Sequence, residues 1–476
     1  MVSYLFRSVL VLVALNLLVK PLWIFGVDRK VQVLAGYEAY GHYFAYLSFT
    51  LIFNILADAG ITLFVQQQLA VRRAEHRDWL RQAVLYKLLL SGFYAAVVLG
   101  LGTLLGLSDT RLLAGLTLLQ LLLSWISFLR AVLSSRQQFG YSSLLSVLDK
   151  LLLLAPALGL FYLLQPGAPF TIYQFTHWQV LAATAAVVAG TGLLIYLKPA
   201  ARGDTPPSSI GQIISGSLPF AAVIFMMFLH SRADGVLLNL LPGHPTQAGQ
   251  YAAMYRFVDA ATVLSYLAAG FLLSFWSRHL QQPEVIRETV DKIFRMMLAA
   301  AVLVGVVFFF HSSFLQELLY HRQDPAAARV LQWGMLVLVP AFLIDIFGTL
   351  LTANRRLRTY LWIAAAAVVL NLSLNLVFIP RYHALGAAVV ALFTQSFMAT
   401  ALLLVCIRRW QLQPRRASVV RLLLLTGVLI TTGGLLQLSN LHSWWQLVLL
   451  GVVWCLALPL LGLFSPAWFV RWQEQN

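Results

Sequence analysis

The sequence predicts an all-α polytopic membrane protein with about 14 transmembrane helices. Of its 476 residues, 60% are hydrophobic and only 11% are charged, and the mean hydropathy is +0.80. Soluble globular proteins carry roughly 25% charged residues, so this chain has too few charges to cover a surface that faces water. The composition therefore excludes a soluble enzyme, a disordered chain and a fibrous repeat.

Fourteen apolar stretches follow one another along the chain, each long enough to cross a bilayer as a helix of about 20 residues. They lie near residues 4–26, 38–65, 83–107, 111–133, 143–165, 172–197, 211–240, 251–276, 290–310, 327–352, 358–380, 384–407, 419–438 and 443–464. We expect the first to be a retained span and not a removed signal peptide, because polar residues interrupt it and no convincing small-residue cleavage site follows.

Residues 198–209 (KPAARGDTPPSS) are rich in Pro and Ser and divide the chain, which makes them the best candidate for a linker. The sequence thus predicts three parts: an N-terminal lobe of spans one to six (1–205), a C-terminal lobe of spans seven to twelve (206–412), and spans thirteen and fourteen with a short cytoplasmic tail (413–476). The connections between spans are too short to hold a soluble domain.

The net charge of +16 is explained by the loops between the spans. If the chain starts in the cytoplasm, 22 of the 33 Lys and Arg residues fall in cytoplasmic segments and six in outside loops. Cytoplasmic loops of membrane proteins carry such an excess of positive charge. We therefore expect both termini in the cytoplasm and no binding of nucleic acid.

A weak internal repeat relates the two predicted lobes. Residues 41–45 (GHYFA) open span two, residues 249–253 (GQYAA) open span eight, and the alignment also places Phe49 on Phe257. Repeated halves are common in transporters.

Three groups of residues together resemble a known family. They are residues 40–43 (YGHY) with 57–60 (ADAG), residues 232–234 (RAD) with 249–256 (GQYAAMYR), and residues 375–388 (NLVFIPRYHALGAA). The last is similar to the "N-hydrophobic-P-x-Y-G-x-x-G-A-A" signature of polysaccharide flippases, in the multidrug/oligosaccharidyl-lipid/polysaccharide transporter superfamily. His383 stands where glycine is usual, so we expect a slightly different turn.

The resemblance implies a fold and a task. The fold is two six-helix lobes around a central cavity, with two C-terminal helices appended. The task is to move an undecaprenyl-pyrophosphate-linked oligosaccharide from the cytoplasmic to the periplasmic leaflet by alternating access, for O-antigen, capsule or exopolysaccharide synthesis. The resemblance also implies a bacterial cytoplasmic (inner) membrane as the location. We expect a monomer that serves a pathway with a polysaccharide polymerase and glycosyltransferases.

Ionisable residues inside spans are costly and indicate function. The candidate substrate-binding cations are Lys20, Lys87, Lys150, Arg232 and Arg256. A lipid-linked pyrophosphate is an anion, and fixed cations would offset the cost of removing it from water. Two alternatives remain open: the lysines snorkel to the interface, or Arg256 and Asp259 neutralise each other at i and i+3. Asp149 and Lys150 are expected to point in different directions, and Asp58 to cap or pair locally.

A second constellation predicts ion coupling. Asp234 lies in span seven, Asn371 and Asn375 share a face of span eleven, and Thr394 lies in span twelve. A carboxylate with amide and hydroxyl oxygens suits a hard cation, so Na⁺ or H⁺ is the expected coupling ion, and interhelical hydrogen bonding is the alternative.

The sequence predicts a transporter and not an enzyme. It contains no Walker A loop and no zinc-spaced His and Cys residues, so we expect no cofactor and no resident metal. Two other functions stay open: a cation-coupled small-molecule exporter of the same superfamily, and a membrane glycosyltransferase or polymerase. Such enzymes generally need a sizeable outside loop with catalytic residues. The first predicted outside loop, residues 27–37, holds Asp28 but no paired carboxylates.

Overall fold

The structure is a computed structural model. It describes residues 15–16, 18–62, 65, 77–136, 138–164, 170–197, 210–241, 246–410 and 415–463. The chain divides into two compact units, and each is described by itself below. The first unit comprises Met1–Ala252 with Asn375–His383, and the second comprises Ala253–Leu374 with Ala384–Asn476.

The described residues are predominantly helical. In chain order the helices are α1 (Arg29–Ile52), α2 (Arg77–Leu104), α3 (Thr110–Ser135), α4 (Phe139–Leu145), α5 (Leu148–Leu158), α6 (Ile172–Tyr196), α7 (Ile210–Leu240), α8 (Gln247–Arg278), α9 (Pro283–Tyr320), α10 (Pro325–Gly334), α11 (Leu338–Ala353), α12 (Leu357–Trp410), α13 (Arg416–Gln437) and α14 (Ser443–Leu460). A π-helical turn, Leu22–Asp28, precedes α1, another, Gly159–Leu164, follows α5, and short 3-10 turns lie at Asn54–Ala57 and Met335–Val337.

Local sequence signals set several helix starts. The side chain of Asp109 accepts the backbone N–H of Leu112 at the start of α3, and Thr171 with Gln174 forms a capping box at the start of α6. Such caps satisfy backbone donors that a helix cannot satisfy itself. In the first unit α3 packs on α6 and α1 on α7, and in the second α9 packs on α10, α11, α13 and α14.

The helices match the predicted fold class, an all-α polytopic membrane protein. Among the described residues, nine helices are long and apolar enough to cross a membrane, and the bent pair Phe139–Leu145 with Leu148–Tyr162 makes a tenth. Large apolar side chains remain exposed on them, including Ile195 at 78% and Leu423 at 66%. This outward-facing apolar surface is what a helix bundle presents to lipid.

Helix α12 covers predicted spans eleven and twelve and is broken at His383, where φ is +53° and ψ is −134°. The break therefore lies at the turn predicted between spans eleven and twelve. A positive φ is the region in which glycine is favoured, which explains why the family signature has glycine at this position.

Other predictions fare differently. The predicted outside loop at residues 27–37 is shorter than expected, because the π-helical turn runs directly into α1 and the chain breaks within that range only at Gly36, where φ is +84°. The predicted linker at residues 198–209 lies outside the described residues. The two compact units differ in their boundaries from the predicted lobes, and the division into two six-helix lobes stays a prediction.

Two glycines of the internal repeat meet in the first unit. A Cβ atom added to Gly41 would lie 2.4 Å from the backbone nitrogen of Gly249, and one added to Gly249 would lie 2.0 Å from the carbonyl oxygen of Tyr37. Since both close contacts involve backbone atoms, no side chain can move aside. Small residues allow membrane helices to approach this closely.

Gly41→Ala should therefore lower the unfolding temperature in detergent, because overpacking a tight contact costs about 1–3 kcal/mol. Gly100→Ala on α2 is the matched control, since a Cβ there meets nothing within 4 Å. Equal unfolding temperatures of the two variants would show that the helix contact does not constrain residue 41.

Candidate functional site

Three cations and one carboxylate of the first unit lie within electrostatic range of one another, and we call them the cationic cluster. Lys20 lies just before the π-helical turn, Arg130 lies on α3, and Asp149 and Lys150 lie in the first turn of α5. The charges of Lys150, Arg130 and Asp149 all act on Lys20, and the first two are of its own sign.

Asp149 alone does not balance the cluster. The Lys150 ammonium donates to the Asp149 carboxylate at 2.7 Å, and the same carboxylate interacts with Arg130. Among the described residues, Asp149 is the one acid whose charge acts on Lys20. The cluster therefore holds an excess of positive charge that a bound anion would neutralise.

The prediction that Asp149 and Lys150 point in different directions is wrong. Their backbone positions diverge on the helix, but the long, flexible lysine chain folds back to the neighbouring carboxylate. Lys150 keeps 25% of its side chain exposed, so it stays accessible beside its partner.

Lys87 on α2 is in a different environment. Its side chain is 0% exposed, and its ammonium lies 2.5 Å from the Asp58 carboxylate and 2.6 Å from the Ser124 hydroxyl on α3. Asp58 also accepts from Thr62, as expected of a locally pairing residue. Lys87 thus carries a counter-ion and does not snorkel, and its role in substrate binding stays a prediction.

The two candidate arginines lie in different units. Arg256 on α8 pairs with Asp259 at 3.3 Å, so the expected neutralisation at i and i+3 is confirmed. Arg232 lies half-buried on α7 in the first unit. A shared cavity that all five candidate cations face stays a prediction.

Asp234 on α7 is 1% exposed and accepts hydrogen bonds from Tyr251 and Asn375 in the first unit. The Tyr251 hydroxyl donates to one carboxylate oxygen at 2.8 Å, and the Asn375 amide donates to the other at 2.6 Å. A carboxylate oxygen can also bind a cation or a proton.

Asn371 and Thr394 meet in the second unit. The Asn371 amide donates to the Thr394 hydroxyl at 3.3 Å, and that hydroxyl donates to the carbonyl of Val390 at 2.9 Å. Asp234 thus bonds to Asn375, and Asn371 bonds to Thr394. A single ion site made by all four residues stays a prediction.

Sequence reasoning misses two of these residues. Arg130 lies inside α3 and is absent from the candidate cations, and Tyr251 stands out in the sequence only within the repeat and within residues 249–256 of the family resemblance. The repeat aligns Tyr251 with Tyr43, yet it is Tyr40 that donates to Asp28, at 2.7 Å, as Tyr251 does to Asp234. The repeat therefore gave no signal for the contact between Tyr251 and Asp234.

A family model described as polysaccharide biosynthesis protein matches residues 5–273, more than half of the chain. The chain belongs to this family. The matched residues include the cationic cluster, Lys87, the candidate arginines Arg232 and Arg256, and Asp234. The other three candidates, Asn371, Asn375 and Thr394, lie beyond the match. No curated protein sequence matches the chain.

Several solved structures share the fold of this chain at low sequence identity. The lipid II flippase MurJ in an inward closed conformation is 12% identical, with a TM-score of 0.63 over 97% of each chain. An inward-facing multidrug resistance MATE family transporter of the MOP superfamily is 13% identical, with a TM-score of 0.61 over 86% of this chain and 99% of its own. A MOP superfamily transporter from Pyrococcus furiosus is 12% identical, with a TM-score of 0.54 over 85% and 93%. At these identities the likeness shows the fold alone.

The buried Lys87–Asp58 ion pair should stabilise the fold. Lys87→Met should lower the unfolding temperature in detergent, because breaking a buried ion pair from one side costs about 3–5 kcal/mol. We expect the lower end, since the Asp58 side chain is 23% exposed. Lys87→Met with Asp58→Asn should recover part of the loss, because no uncompensated charge is left.

Lys292→Met is the matched control, because its partner Glu288 is 59% exposed and surface pairs contribute little. A wild-type unfolding temperature for Lys87→Met would show that the pair does not stabilise the fold.

Proposed function

We propose that this protein is a flippase that moves an undecaprenyl-pyrophosphate-linked oligosaccharide from the cytoplasmic to the periplasmic leaflet by alternating access, for O-antigen, capsule or exopolysaccharide synthesis. The observation that carries the proposal is the cationic cluster in the helical part of a polysaccharide biosynthesis protein. It offers Lys20, Arg130 and Lys150 against one carboxylate.

The charge of the cluster suits the head group of this substrate. A pyrophosphate loses its hydration when it enters a low-dielectric region, and that cost is large unless charged donors replace the water. Ammonium and guanidinium groups make the strong, charge-assisted hydrogen bonds that phosphate oxygens accept. A hydrophobic cation, as expected for a small-molecule exporter, would instead be repelled by the cluster.

Aromatic packing in the first unit anchors the segment that carries Lys20. Trp23 follows Lys20 by three residues, and its ring stacks on Phe175 at 5.8 Å. Tyr43 lies 5.5 Å from the same Phe175 ring, and both Tyr43 and Phe175 are 2% exposed. This buried contact holds the segment in place beside the cluster.

Neutralising the cluster should slow transport. In proteoliposomes with a fluorescent polyprenyl-pyrophosphate-linked oligosaccharide, Lys20→Gln with Lys150→Gln should flip the probe about tenfold more slowly or worse, since hydrogen bonds to charged groups contribute about 1.5–3 kcal/mol each. Arginine at either position should retain more activity than glutamine. Lys292→Gln, whose partner Glu288 lies on the same helix α9 and is 59% exposed, is the control.

Accessibility of the probe to a membrane-impermeant quencher measures the flipping. Normal rates in the double glutamine variant would contradict the role of the cluster. Export of cationic drugs without lipid flipping would favour the exporter alternative, and elongation of the oligosaccharide would favour an enzyme.

We further propose that an ion gradient drives the transport through Asp234. Its two donors hold the carboxylate ready to take up a cation. A sodium site needs several oxygen ligands, so Asn375→Ala should weaken the response to a sodium gradient. A proton site should tolerate Asn375→Ala but not Asp234→Asn.

Transport under separate sodium and proton gradients distinguishes these cases. If neither gradient changes the rate and Asp234→Asn flips the probe at the wild-type rate, Asp234 is not a coupling residue and removal of the product drives the reaction.

A further inference from the structure

Asp345 is a carboxyl group in the middle of a membrane helix of the second unit. It lies on α11, between Ile344 and Ile346, and it is half-buried. The Ser265 hydroxyl on α8, itself 1% exposed, donates to its Oδ2 atom. None of the roles assigned above uses this residue.

The surroundings of Asp345 hold no counter-ion among the residues that the structure describes. Helix α8 contributes the neutral Ser265, and α12 contributes the phenol of Tyr360, which packs against Gly348 of α11. Helix α9 packs against α11, and none of its described charged groups pairs with Asp345. Gly348, nearly one turn along α11, permits the approach of Tyr360, because a Cβ there would lie 2.5 Å from the tyrosine hydroxyl oxygen.

A carboxyl group without a cation behaves differently from one with a cation. In the same unit the Arg256 guanidinium lies 3.3 Å from the Asp259 carboxylate and supplies it with a counter-ion. Asp345 has no such partner in the described part of the chain, and an isolated charge inside a span is costly. Its neutral, protonated form is therefore favoured whenever water is excluded.

The Ser265 hydroxyl can form a hydrogen bond with Asp345 in either of its protonation states. A hydroxyl can donate to a carboxylate and accept from a carboxylic acid, so the hydrogen bond persists when the proton arrives or leaves. The half-buried position leaves Asp345 within reach of water that enters between the helices. A carboxyl group that is neutral when water is excluded and ionised when water reaches it exchanges a proton each time its contact with water changes.

We propose that Asp345 is a proton-binding site of the second unit, which takes up a proton when shielded and releases it when water reaches the helix. On uptake a hydronium ion transfers its proton to the carboxylate as the site closes and leaves as water. On release the O–H bond breaks, the proton passes to water, and the electron pair stays on the carboxylate. Ser265 is a positioning residue for this site. The use of the proton in transport rests on the proposed flippase function, whereas proton binding itself does not.

Infrared difference spectroscopy of the purified protein between acidic and alkaline pH tests the proton site. We expect a carbonyl-stretching band of a protonated carboxylic acid that disappears in Asp345→Asn and shifts in Ser265→Ala, because the hydrogen bond to the acid is lost. Asp259→Asn, which alters the arginine-paired carboxyl of the same unit, should leave the band in place. A band that survives in Asp345→Asn overturns the proposal.

Flipping in proteoliposomes tests the use of the proton. A pH gradient should change the wild-type rate, whereas Asp345→Asn, which mimics the protonated acid, should flip the probe at a rate that no longer responds to the gradient. An unchanged response in Asp345→Asn overturns the coupling role. If the wild-type protein flips no lipid-linked oligosaccharide under any gradient, the flippase proposal fails, and the infrared result still decides whether Asp345 binds a proton.

Discussion

The cost of placing a charge among apolar helices is the constraint on which this structure depends. Most charged groups inside the described helices lower this cost by pairing with a group of opposite charge. Lys87 lies 2.5 Å from Asp58, and Arg256 lies 3.3 Å from Asp259. These pairs are locally neutral, so their first role is to let the chain keep polar groups within its spans. The groups left unbalanced are therefore the ones that call for a functional explanation.

The unbalanced groups are of two kinds, which correspond to two tasks of the proposed flippase. The cationic cluster has more positive charge than Asp149 can neutralise, which suits the binding of an anionic head group. Asp345 has a hydroxyl partner and, among the described residues, no cation, which suits the exchange of a proton.

Hydropathy predicted the helices well because long apolar runs in a chain this poor in charge have no other stable fold in lipid. The break at His383 was also predictable, since a known signature places a turn there. Ion pairs were not. The partner of Lys87 lies 29 residues away in the chain, beyond the one-turn spacing that a helix pattern reveals. Asp149 and Lys150 pair through side-chain flexibility, which backbone direction does not show.

Binding of lipids to the purified protein tests the central claim most directly. Native mass spectrometry can compare a polyprenyl pyrophosphate with the uncharged polyprenol of the same length, in the wild type, in Lys20→Gln with Lys150→Gln, and in Arg130→Gln. The account predicts that the wild type prefers the pyrophosphate and that both variants lose this preference while still binding the polyprenol. Equal binding of the two lipids by the wild type, or a preference that survives neutralisation of the cluster, would contradict it.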